Sequence, residues 1–272
     1  ERFENWQGQD FDEDTLEPSE VAHAIMEYLD CECTYFPSMA DDDPIMSAYS
    51  YAQRLGVREG FVPVLIQADD ETLLECLVMN ADPKNDVDIY EFDLKAVTEY
   101  RKKMLSTPVK DGKTVLEELT GQRKEEAEDD DMDWDEEVLG EMEGGEPNDR
   151  FSSYWDDDTE MTYPLILAKI PVKNPWEIFA YLPFGNWNDC PDTPELMAAA
   201  KYWFEQYGAV PAAMSHDELE FLLPAPVPKE KAMDAAVELY GFCQDLDQNE
   251  DGSIGSLADA LWQSTVWYFW WD

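Results

Sequence analysis

Hydrophobic patterning is clearest in the C-terminal half. Two apolar runs, LILAKIPV at 165–172 and EIFAYLP at 177–183, are rich in β-branched and aromatic residues and predict strands. After the loop GNWNDCPDT comes a helical pattern. Thr193 can cap it, Pro194 suits its first turn and Gly208 can stop it. Leu196, Ala200, Trp203 and Tyr207 share one face at helical spacing. AVPAAM and LEFLL flank SHDE, which predicts a hairpin. A second helix opens after Pro228 and buries Ala232, Met233, Ala236, Leu239, Tyr240 and Cys243, and a short third runs through SLADALWQ. The chain closes on TVWYFWW. An unbroken apolar run suits a strand covered on both faces, so this one predicts a central strand with helices on either side. The competing reading is an aromatic platform on which a ligand stacks.

The N-terminal half reads as a distorted echo. GFVPVLIQADDETLLECL (60–77) aligns with GAVPAAMSHDELEFLL (208–223). Gly60, Val62 and Pro63 lie 148 positions before Gly208, Val210 and Pro211, and Asp70 matches Asp217 after a one-residue gap. Each copy follows a Tyr-containing helical stretch, AYSYAQRLG or AAAKYWFEQYG. A diverged duplication of a helix–strand–strand unit explains this, as does shared α/β grammar. The expected class is α/β, an α+β sandwich with a mixed sheet, flanking helices and the aromatic C-terminal strand central.

Charge changes the picture. Against 18 Lys and Arg stand 63 acids, a formal net charge of −45. Such a field repels nucleic acid and anionic membrane and attracts basic proteins and cations. The stretch 125–149, EEAEDDDMDWDEEVLGEMEGGEPND, has no basic residue and is more than half acid. Like-charge repulsion and sparse apolar surface make it the expected linker. The division is then 1–124, an N-terminal α/β region; 125–150, an acidic linker; and 151–272, a C-terminal domain. At 44% the hydrophobic content suffices for a packed core. No apolar run is long enough to span a membrane, and the polar start ERFENWQGQDFDED is not a signal peptide; lacking Met, it suggests a trimmed or missing beginning. Five cysteines (31, 33, 76, 190, 243) without zinc-ribbon spacing read as reduced thiols of a cytoplasmic protein.

Four segments in order, GNWNDCP, YWFEQYGA, SHDELEF and STVWYFWWD, resemble the bacterial domain-of-unknown-function family 4253 over about 110 residues, from near Tyr163 to Asp272. The resemblance implies an α/β domain. It carries no established activity and no functional residues. The chain departs from the family pattern after the Cys that ends the second helix, where the longer, acidic QDLDQNEDGSIGS replaces a short Gly-containing connection.

That insertion holds the sharpest motif. DQNEDGSIGSLA (247–258) follows a calcium-loop spacing: Asp247, Asn249 and Asp251 at positions 1, 3 and 5, Gly252 at the turn and Ser253 offering a carbonyl. The twelfth position, where a bidentate acid belongs, is Ala258, with Asp259 one residue late; a solvated Asp/Asn/Gly turn is the alternative. Cys190 precedes a helix N-terminus, and His216 with Asp217 could complete a Cys–His–acid set, but Asp189 and Asp192 flank the Cys and would raise its pKa. Trp187, Asn188 and Asp189 could line a polar pocket beside Trp176 and Trp203, or simply form a loop whose Asn and Asp cap the next helix. His23 sits on an amphipathic helix face. No phosphate-binding loop, dinucleotide fingerprint, HExxH or nucleophile elbow is present. The favoured expectation is a non-catalytic module that captures or inhibits a basic protein, with an enzyme built on the WNDCP loop and the His216 turn, or a calcium-stabilised scaffold, as alternatives.

Overall fold

A computed structural model describes residues 17–85, 88–247 and 253–272. The first half contributes α1 (Glu20–Leu29), β1 (Glu32–Phe36), α2 (Asp43–Glu59), β2 (Val62–Gln67), α3 (Glu71–Ala81), α4 (Leu94–Ser106) and α5 (Gly112–Asp129). A two-residue ribbon follows, β3 (Trp155–Asp156) and β4 (Met161–Thr162). Then come β5 (Leu165–Ile170), α6 (Thr193–Tyr207), β6 (Val210–Met214), β7 (Glu218–Leu222), α7 (Ala232–Phe242), α8 (Ile254–Leu261) and β8 (Val266–Trp270).

Six strands form one mixed sheet in the order β1-β5-β2-β6-β7-β8. All neighbouring pairs are antiparallel except β2 with β6. Alternation along each strand divides the core. Val64 and Ile66 of β2 join Ile166, Ala168 and Ile170 of β5 in a large cluster with most of the helices. Leu65, Leu165 and Leu167 point the other way, onto Ile45, Tyr49 and Ala52 of α2 and onto Phe151 and Tyr154. The expected mixed sheet with flanking helices is therefore present.

The echo survives in part. α2 and α6 both end on a left-handed glycine, Gly60 at φ 83° and Gly208 at φ 71°. A side chain there would be strained, so glycine stops both helices before the chain turns into β2 or β6. These strands lie side by side, and Leu65 pairs Ala213 and Ile66 pairs Met214, the same 148-residue offset as the sequence match. Beyond them the copies diverge. ETLLECL is not a strand but the start of α3: Asp70 caps it, and Leu73, Leu74, Leu77 and Val78 are buried at helical spacing while Glu71 and Glu75 are exposed. EIFAYLP also departs from expectation. It forms a 3₁₀ turn, Pro175–Ala180, because the Glu177 carboxylate accepts from Asn174 N (3.0 Å) and closes a capping box. At α6 the cap is Asp192, boxed with Glu195, and Thr193 takes the first turn.

The C-terminal strand is not central. β8 lies at the edge, and its alternation explains its composition. Trp267, Phe269 and Trp271 face the helices, where Phe269 stacks on Trp203 at 5.6 Å and meets Phe242 edge-on at 5.3 Å. On the opposite face Val266 is buried and Tyr268 and Trp270 are half-buried. Irregular segments cover the outer edge in place of another strand. Asn148 O accepts from Thr265 N and Val266 N (3.0 Å each), Cys243 Sγ donates to Trp270 O (2.9 Å) and Asn188 Nδ2 to Asp272 O (2.6 Å).

Strands of both proposed domains share this sheet, and the acidic stretch between them is packed. α5 runs into it as far as Asp129, Ala127 and Val138 are buried, and the Trp134 ring meets Tyr240 at 6.1 Å. A Cβ at Gly145 would lie 2.3 Å from Ser256 O and Ala260 N of α8. The apolar residues spaced among the acids give the segment an anchoring side, and its carboxylates face water.

Candidate functional site

Parallel strands place the loops that follow them at one end of a sheet, where ligand sites of α/β proteins gather. Among the described residues the only parallel pair is β2 with β6, and both strands run into acidic loops. Asp70, at the end of β2, is buried. Its Oδ1 accepts from Leu73 N (2.9 Å), and its Oδ2 accepts from His216 N (2.7 Å) and lies 3.0 Å from His216 Nδ1. The other ring nitrogen, Nε2, lies 3.5 Å from Asp217 Oδ2. The two acids matched by the sequence echo thus bracket one histidine. The Asp70 hydrogen bond, opposed by partial burial, raises the His216 pKa.

The turn is tied further into the sheet. Asp217 accepts from Ser215 Oγ (2.8 Å) and Trp270 Nε1 (3.2 Å), and Tyr268 OH donates to Glu218 Oε1 (2.7 Å). Burial, then the charge of Asp217, outweigh the Tyr268 bond and push Glu218 up to about 7. Glu220, on the same face, is fully buried and accepts from the backbone N–H and hydroxyl of both Ser152 and Ser153, with the Ser153 hydroxyl at 2.6 Å. Burial still raises its pKa.

Beside this turn lies an acidic pole made from distant parts of the chain. The β3–β4 ribbon carries Asp156, Asp157, Asp158 and Glu160, of which all but the half-buried Asp156 are exposed. Its base is bonded to the loop before α2: Thr162 N donates to Met39 O (2.8 Å), and Tyr154 OH donates to Asp42 (2.8 Å). That loop and the first residue of α2 hold Asp41, Asp42 and Asp43, which place one oxygen each within 4.8 Å of one another. Gln67 Nε2 bonds Ser153 O (2.6 Å), joining the ribbon to β2. Tyr163, 40% exposed, feels the charges of Asp156–Asp158 and Glu218, which raise its pKa after burial has done so. Among the described residues, none of Asp41, Asp43, Asp156, Asp157, Asp158 or Glu160 pairs with Lys or Arg. Uncompensated carboxylates beside exposed aromatic faces suit cationic side chains.

The other candidates fall elsewhere. Cys190 is buried, bridged to Trp187 in its own loop, with its Sγ 3.1 Å from where a Cβ on Gly185 would sit. Burial holds its thiol well above the usual range, and both His216 nitrogens face carboxylates, so the Cys–His–acid set is not brought together. Trp187 Nε1 donates to Phe184 O (2.9 Å), Asn188 holds the chain end, and Asp189 accepts from Gln244 (2.7 Å). Trp203 sits in the aromatic core and Trp176 on Phe204, so neither serves the WNDCP loop as expected. Of the calcium-loop residues, Asn249, Asp251 and the Asp247 side chain lie outside the described residues. Ser253 caps α8, and Asp259 accepts from Gly145 N (3.1 Å) and Trp262 Nε1 (2.9 Å).

Sequence reasoning passed over Asp70, Glu218, Glu220 and the 155–160 ribbon as site residues. The Asp70–Asp217 match was the one available signal, since carboxylates are too abundant here for any pairing to stand out. No curated protein and no solved structure matches the chain. Residues 166–272, from β5 to the C-terminus, match the model of a family described as a domain of unknown function, DUF4253.

Proposed function

We propose that this protein is a non-catalytic binding module that captures or inhibits a basic protein, and that the partner docks on the acidic pole formed by Asp41–Asp43 and the 155–160 ribbon. The carrying observation is the pole itself. Two segments more than a hundred residues apart are hydrogen-bonded together, and among the described residues the carboxylates they carry have no Lys or Arg partner. Holding like charges together costs stability, and a cationic partner reverses that cost on binding. The net charge of −45 would steer such a partner in and disfavours nucleic acid. Five free thiols suit a reducing cytoplasm. An enzyme working through the WNDCP loop and His216 has less support, because Cys190 is buried and His216 is held between two carboxylates.

The test is a pull-down from host lysate with wild-type bait and with Asp156→Asn/Asp157→Asn/Asp158→Asn bait. One basic protein retained by wild type, released by salt and lost from the variant supports the reading. Retention unchanged by the variant, or by about 1 M salt where screening acts within roughly 3 Å, contradicts it.

A further inference from the structure

The pair Cys31 and Cys33 has no part in the acidic pole, yet its surroundings are those of a reactive dithiol. Cys31 occupies the bend between α1 and β1, and Cys33 is the second residue of β1, an edge strand. Alternation puts both side chains on the face that packs toward the helices, and their sulfurs lie 4.0 Å apart. Both are half-buried and so within reach of small reagents.

A cation is anchored to the backbone two residues before Cys31. Arg101 of α4 is only 6% exposed. Its guanidinium donates to Leu29 O (3.2 Å) and Tyr28 O and lies over the rings of Tyr181 (4.3 Å) and Tyr28 (5.2 Å). Among the described residues no carboxylate lies within ion-pair distance of it, and its buried Nε has no hydrogen-bond partner. Guanidinium does not shed its proton, so a buried one without a counter-charge favours an anion nearby. Its charge reaches Cys31. The hydrogen bond between the two sulfurs lowers the Cys31 pKa, burial and the charge of Asp30 oppose this, and Arg101 lowers it further, while the same bond and burial push Cys33 up. Of the two sulfurs, Cys31 is the one on which a negative charge is favoured.

We infer that Cys31 and Cys33 form a redox-active dithiol, in which Cys31 is the attacking thiolate for peroxides, Cys33 resolves it, and Arg101 supplies the counter-charge. The Cys31 sulfur attacks one peroxide oxygen, an S–O bond forms and the O–O bond breaks. Hydroxide (or alkoxide) leaves and takes a proton; sulfur is oxidised by two electrons and the peroxide reduced. Cys33 sulfur then attacks the sulfenic sulfur, an S–S bond replaces the S–O bond, and water leaves with the Cys33 proton. The sulfurs must close from 4.0 Å to about 2.05 Å. Cys31 lies outside the β1–β5 ladder, whose first pair is Glu32 with Lys169, and closure would release only the bond its sulfur takes from the Lys169 backbone.

Cys76 is the internal comparator, equally half-buried but with burial pushing its thiol up to about 11. The fully reduced chain is treated with one equivalent of hydrogen peroxide at about pH 7, its remaining thiols are alkylated, and its peptides are weighed. The expected result is a peptide holding Cys31 and Cys33 that is about 2 Da light, with Cys76 alkylated. Cys33→Ser should trap a sulfenic acid at Cys31, read as a dimedone adduct, and Cys31→Ser should give neither product. Without peroxide, wild-type Cys31 should alkylate at least roughly tenfold faster than Cys76. Equal rates at Cys31 and Cys76, or oxidation of Cys31 to sulfinic acid with no Cys31–Cys33 disulfide, would overturn the assignment. Both are read on folded wild-type protein and do not depend on any variant folding.

Discussion

Asp70 serves two elements at once. One oxygen caps α3 and the other holds His216, so a single side chain fastens the end of β2 to the β6–β7 turn. Asp70→Asn keeps a cap acceptor and removes the charge. The His216 pKa should then fall toward 6.5, which an NMR titration of the ring would read. The turn also predicts a pH dependence of stability. Glu218 is raised from 4.5 to about 7, so between those values the folded state keeps a proton that the unfolded chain has lost, and stability falls as pH rises through that window. His216, also raised, adds stability that is full below 6.5 and is lost as pH rises through its folded value. Asp111, Asp156 and Asp259 are lowered and act below 3.8, outside the window. Urea midpoints should therefore decline from about pH 5 to pH 7, and Glu218→Gln should flatten that decline. A midpoint that rises over this range would contradict the reading. Beyond His216, Asp217 and the Asp70 match, little of this was legible residue by residue. In a chain of 63 acids, only position in the fold separates a buried Glu220 from a solvated Asp157.

At the scale of elements, local signals worked where caps, glycines and periodicity agreed. α6, β6, β7 and the short α8 lie where the pattern put them, because each is bounded by a capping residue, a left-handed glycine or a turn. They failed where a short apolar run had two readings. ETLLECL and EIFAYLP have the composition of strands, but the capping residues Asp70 and Asn174 begin a helix and a 3₁₀ turn. β8 was legible as a strand, yet its edge position was not, because long-range bonds from Asn148, Asn188 and Cys243 cover it. The aromatic face is the load of that strand: Phe269→Ala should cost about 3–5 kcal/mol, measured by chemical denaturation. The packed acidic segment makes a separate prediction. Gly145→Ala puts a Cβ 2.3 Å from the α8 backbone and should destabilise by about 1–3 kcal/mol; a free tether would tolerate it without loss.

At the scale of the whole molecule, the first half supplies β1 and β2, the second supplies β5 through β8, and the sheet interleaves them. The 125–150 segment looked like a linker because its composition is that of a solvated chain, and composition does not register Val138 or Gly145 against their neighbours. No helix of the described residues is long and apolar enough to cross a membrane. What the fold adds to the bare net charge is location. It gathers acids that have no Lys or Arg partner among the described residues at the pole beside the β6–β7 turn, while the segment 125–137 holds a second, exposed set of acids on α5 and the turn after it. The most direct measurement is the equilibrium affinity for the captured basic partner, across a salt series, of wild type and two variants with equal loss of charge. One is Asp156→Asn/Asp157→Asn/Asp158→Asn at the pole; the other is Glu125→Gln/Glu128→Gln/Asp129→Asn on α5, which spares the Glu126 that pairs with Arg123. The account predicts at least a tenfold loss, about 1.4 kcal/mol, for the pole variant and little change for the other. Equal losses in both would show that the charge acts only as a diffuse field and that the pole is not the docking site.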